Sequence, residues 1–114
     1  MGWQVYLQKD GKPVAVPPFV EGGTIAVVDS DLVPEPSTRA NISITYNYAK
    51  YFNFGALNGY KASDAIATLE RAVDVLGNAP DKDYWAPTAG NAGHMCALLL
   101  SWARLHPDAL WGVR

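Results

Sequence analysis

The sequence predicts an α+β fold: a small N-terminal antiparallel sheet or hairpin packed on a bundle of two long helices and one short helix, with the last helix central. Three observations lead there. Apolar and polar residues alternate with a period of two over Trp3–Gln8 and again from Asn41 to Tyr46. Ile66, Leu69, Val73 and Leu76 recur at helical spacing. The stretch from Ala92 to Leu105 is apolar on almost every side. The chain has 114 residues, 49% of them hydrophobic and 18% charged, which suits one folded domain and excludes a disordered chain.

The first strand places Trp3, Val5 and Leu7 on one face and Gln4, Tyr6 and Gln8 on the other. Asp10-Gly11 is a hairpin turn signal, after which Val14–Val16 is expected to pair back. Pro17 and Pro18 lack N–H donors and end regular pairing. Thr24–Val28 is a further short β-branched run. Asp29–Arg39, with Pro34, Pro36 and the acids Asp29, Asp31 and Glu35, reads as an exposed loop. The alternation over Asn41–Tyr46 puts Ile42, Ile44 and Tyr46 on one face.

The short helix is expected between Asn47 and Asn53, with Tyr48, Tyr51 and Phe52 on one side. Ser63 is the expected cap of the first long helix, with Asp64 in its first turn. Gly77-Asn78 closes that helix and Pro80 prevents its continuation. Thr88 or Asn91 caps the last helix, whose core face is Ala92, Met95, Cys96, Leu99, Trp102 and Ala103. Pro107 ends it, because proline disfavours helical geometry at His106. Ala109–Val113 is a candidate closing strand. Trp3, Trp102 and Trp111 read as core anchors, with contact to a partner subunit as the alternative for Trp111.

Part of this pattern is similar to a group of small uncharacterised proteins encoded by phages and prophages. The similarity covers about residues 41–113. It rests on Thr45-Tyr46-Asn47, on Trp85-Ala86-Pro87-Thr88-Ala89-Gly90-Asn91-Ala92 and on His106-Pro107-Asp108. Many of those proteins carry a Thr cap where this chain has Ala62-Ser63, which moves the expected cap to Ser63. The resemblance implies a viral or prophage origin and transfers no catalytic residue.

Charge and motifs narrow the function. Eleven acids and nine bases leave a net charge of -2, so there is no positive excess to neutralise phosphates and no nucleic-acid partner is expected. Nothing at the N-terminus reads as a signal peptide, and Tyr6 stands where a myristoylation signal needs Ser or Thr. The charge-free apolar run between His94 and Arg104 is about half of the ~20 residues that span a bilayer. A cytoplasmic location in a bacterial host, without membrane association, is the expectation. The single cysteine, Cys96, sits in the apolar stripe as a small core residue. His94 and Cys96, two residues apart on a helix, point to different faces and cannot share a metal ion. Asp81 and Asp83, like the acids of the 29–39 loop, read as solvated carboxylates rather than cation ligands. No phosphate loop, nucleophile elbow or dinucleotide fingerprint is present, and no metal or cofactor is expected.

The informative group is aromatic and amide: Thr45, Tyr46, Asn47, Tyr48, Tyr51, Tyr84, Trp85, Asn91 and His94 gather in breaks and helix starts. Stacking faces beside hydrogen-bonding edges suit a ligand or partner site. The structural alternative is that Asn47 ties a turn, Asn91 caps a helix and Trp85 covers the core. The leading expectation is a non-enzymatic protein that sequesters a host protein or a small molecule through Thr45, Tyr46, Asn47, Tyr48, Trp85, Asn91 and His94. The alternatives are a structural, self-associating accessory protein, and a small enzyme with His94 as general base.

Overall fold

A computed structural model describes residues 2–17, 20–22, 25–27, 38–83 and 85–114, with the backbone alone for 20–22 and 25–27. The acidic residues Asp29, Asp31 and Glu35 of the expected loop lie outside the described residues, as do Thr24, Val28 and Tyr84. The element order is β1 (Gly2–Lys9), β2 (Lys12–Pro13), β3 (Ala15–Val16), β4 (Val20–Gly22), β5 (Ile25–Val27), β6 (Thr38–Arg39), β7 (Asn41–Thr45), α1 (Ala62–Leu76), α2 (Ala89–Leu105) and β8 (Leu110–Val113). The molecule is α+β, a small antiparallel sheet against two helices. The expected short helix is instead a pair of 3-10 turns, Tyr46–Tyr48 and Phe54–Leu57.

β1 is the strand around which the sheet is built. Val5 and Tyr6 are registered with Ile42 and Asn41 of β7 and also with Val113 and Gly112 of β8, so β7 and β8 flank opposite edges. Gln8 is opposite Pro13 as well as Leu110, so β2 continues the edge that β7 occupies. The sheet is therefore not N-terminal alone: half of β1 is held by β8. The expected hairpin forms at Asp10-Gly11, where both residues have positive φ (54° and 78°), as a two-residue turn of matching twist requires. It is shorter than expected. Val14 N–H still donates to Leu7 C=O, but Ala15–Val16 turns away to pair with β6.

α1 starts without the Ser63 cap. Its N-cap is Lys61, which makes no side-chain bond to the helix. The free N–H groups of the first turn are met by backbone from the segment that leads into β8: Ala62 N–H donates to Ala109 C=O at 2.7 Å and Ser63 N–H to Pro107 C=O at 3.0 Å. A tertiary carbonyl has replaced the local cap. The predicted stripe does face inward, with Leu69 buried, and Ala62 and Ala65 extend it toward the N-terminus.

α2 is the central element. Ala92, Met95, Cys96, Leu99, Trp102 and Ala103 are all buried, and Leu100 joins them. They share one core with Val5, Leu7, Ile42, Ile44 and Trp111 of the sheet. Each large apolar side chain withdrawn from water contributes about 1.5–3 kcal/mol, so this one helix supplies much of the favourable term in folding. Trp111 is 1% exposed and part of this core, which removes its alternative role at a subunit contact. Gly90 and Gly93 let α2 approach the segment after α1. A Cβ on Gly93 would collide with the Gly77 carbonyl oxygen, and one on Gly90 with that of Ala79.

Among the described residues, no helix is long and apolar enough to cross a membrane.

Candidate functional site

The site begins where β7 ends. Thr45 is buried, and its Oγ1 accepts the Asn47 N–H at 3.2 Å, starting the first 3-10 turn. That turn replaces a period of two by a period of three. The side chain that follows Ile44 into the core is therefore Tyr48, fully buried, and not Tyr46 as alternation predicts. Tyr48 is thus a core residue and is removed from the candidate binding surface. Tyr46 is 46% exposed, and its ring stands edge-on to Trp3 at 4.8 Å and 88°. Such a pairing limits the freedom of an exposed aromatic.

The second half of the site is the connector between the helices. Two aspartates shape it: Asp81 Oδ1 accepts the Asp83 N–H at 2.9 Å, and Asp83 Oδ1 accepts the Trp85 N–H at 3.0 Å. Each is a local side-chain turn of the kind aspartate favours. Beneath them sits Asn91, fully buried. Its Oδ1 accepts the Asp81 N–H at 2.7 Å, and its Nδ2 donates to Asp83 C=O at 3.0 Å and Ala86 C=O at 2.9 Å. Asn91 does not cap α2. Thr88 does, its Oγ1 accepting the Asn91 N–H at 3.2 Å. The asparagine fixes the loop.

The two halves meet through Asn47. Its Nδ2 donates to Trp85 C=O at 2.7 Å. The structure thus brings Tyr46, Asn47 and Trp85 together, with Trp85 50% exposed. Thr45 and Asn91 hold this group from below and offer nothing to a ligand themselves. His94 lies on α2, one turn after Asn91. Partly buried, it lies with Nδ1 3.3 Å from Asn78 C=O; a carbonyl only accepts, so Nδ1 carries the proton in that contact.

Trp3 packs against the core as its strand position predicts, its ring 5.5 Å from that of buried Phe54, but it is only partly buried. It also supports Tyr46, and its register opposite Ile44, next to the strand end, is the signal that places it there. In the connector, Trp85 presents an exposed ring and Thr88 caps α2. Gly90 permits a close approach, and Asn91 ties the loop.

A second concave region lies outside the residues that the sequence singles out. Two neighbouring hollows, about 270 Å³ and 220 Å³, run along α1 where it faces residues 51–60. They share Phe52 and Thr68 as lining residues. A signal for it exists in the sequence: Asp64, Thr68, Arg71 and Val75 recur at spacings of four, three and four, a stripe beside the core stripe.

The chemistry of single groups is restrained. Burial pushes the Cys96 thiol up to about 12, which keeps it neutral and a poor nucleophile near pH 7. Among the described residues no group of three His, Cys, Asp or Glu side chains is placed to hold a metal ion. Compared with known families, with characterised proteins and with solved structures, the chain matches none.

Proposed function

We propose that this chain is a non-enzymatic binding protein of the viral or prophage type, and that it sequesters a host protein or a small molecule on the surface formed by Tyr46, Asn47 and Trp85. The observation that carries this reading is the Asn47–Trp85 hydrogen bond at 2.7 Å between two segments that each present a half-exposed aromatic ring. Exposed aromatics on a fixed backbone are economical binding anchors, because little side-chain freedom is lost on association. Three hydrogen bonds from one buried asparagine fix the Trp85 loop before any partner arrives.

The test compares the unaltered chain with a Tyr46→Ala/Trp85→Ala variant and a Leu105→Ala control at an exposed site outside the group, each purified from bacterial cytoplasm. Native mass spectrometry and quantitative proteomics of the bound fraction are the readouts. A small mass or a protein retained by the unaltered chain and the control, and lost from the double variant, supports the reading. Identical bound fractions from all three overturn it.

A further inference from the structure

We propose that the α1 face carrying Asp64, Thr68, Arg71 and Val75 is a docking surface for a second copy of this chain, with the two α1 helices antiparallel across a two-fold axis beside Thr68. This surface shares no residue with the Tyr46–Asn47–Trp85 group and stands or falls independently of it.

The argument begins with unspent charge. Asp64 and Arg71 are exposed, and neither forms an ion pair among the described residues, whereas Glu70 on the same helix is paired with Arg104 at 3.2 Å. Seven residues separate Asp64 from Arg71, about 10 Å along the helix, too far for them to pair with each other. Reversing the helix direction about a point midway between them exchanges the two positions. A second copy in that orientation sets its Arg71 against Asp64 and its Asp64 against Arg71, two identical contacts as a closed two-fold interface demands.

The shape agrees with the charge. Val75 is 77% exposed, an apolar side chain left in water next to a hollow. The same two-fold carries it to the other end of the stripe, where Tyr60, Leu57 and Ala56 line the neighbouring hollow. Knob and hole lie at opposite ends of one groove, with Thr68 at the centre lining both hollows. A parallel copy has no such match, because it sets Asp64 against Asp64 and Arg71 against Arg71.

Sedimentation equilibrium over a concentration series tests this on the whole chain. The unaltered protein is expected to dimerise. Arg71→Asp alone and Asp64→Arg alone each set like charges opposite one another and are expected to weaken self-association at least about tenfold. An equimolar mixture of the two variants restores both opposite-charge contacts, with the two acids on one copy and the two bases on the other, and is expected to form a heterodimer tighter than either variant forms with itself. Both positions are exposed, so native circular dichroism is expected in each variant, and recovery in the mixture separates interface loss from misfolding. An unaltered chain that stays monomeric into the high micromolar range overturns the proposal. So does self-association indifferent to charge reversal, or a mixture that does not recover.

Discussion

α1 and α2 are consecutive helices of similar length, and they are begun and buried in opposite ways. α2 carries its own start: Thr88 caps it, Asn91 ties the connector to it, and glycines at 90 and 93 let that connector cross closely. α1 borrows its start from the carbonyls of Pro107 and Ala109, more than forty residues downstream. α2 is buried nearly all round, whereas α1 buries one face and leaves Val75 and a row of charged residues outside. The difference teaches that a helix's stability can be local or delegated, and that only the local kind answers to changes in its own capping residues.

Substitutions can break or sharpen this contrast, and urea titrations followed by circular dichroism measure them. The largest loss is expected from Gly93→Ala, because the added Cβ meets the Gly77 carbonyl and the backbone must move; such overpacking costs about 3 kcal/mol. Asn91→Ala comes next. It leaves the Asp81 N–H and the Asp83 and Ala86 carbonyls without their Asn91 partner, at a cost of about 2 kcal/mol. Thr88→Ala removes a side-chain cap and is expected to cost about 1 kcal/mol. Ser63→Ala is the opposing control on α1: the Ser63 side chain has no capping role, so the change should stay within about 0.5 kcal/mol. A Ser63→Ala loss equal to that of Thr88→Ala would abolish the contrast.

The same contrast explains what is legible in the sequence. The α2 core face and the α1 stripe are readable because periodicity within one segment encodes them. The turn at Asp10-Gly11 is readable because two adjacent residues suffice for it. The Ser63 cap is not formed because the groups that satisfy α1 are backbone carbonyls, which no side-chain pattern announces. The exchange of Tyr46 and Tyr48 has a local cause: Thr45 begins a 3-10 turn, and from that residue onward strand alternation no longer applies. Of the proposed site, Tyr46, Asn47 and Trp85 stand out by residue type alone, but their meeting depends on a bond between residues 38 positions apart. Asn91 sits at a helix start, as its sequence context predicts, yet it serves the connector rather than the helix, since its side-chain partners lie back along the chain.

The placement of β8 orders events during synthesis. β1 leaves the ribosome long before β8, so Val5, Tyr6, Leu7 and Gln8 find their β8 partners only when residues 110–113 have followed. Until then one edge of the central strand is unpaired. A nascent chain that stops short of Leu110 thus displays an open strand edge, the kind of surface to which chaperones and neighbouring chains attach. Both helices can form before that point, but the sheet that they cover cannot close. The sheet is complete only once Leu110–Val113 has paired with β1.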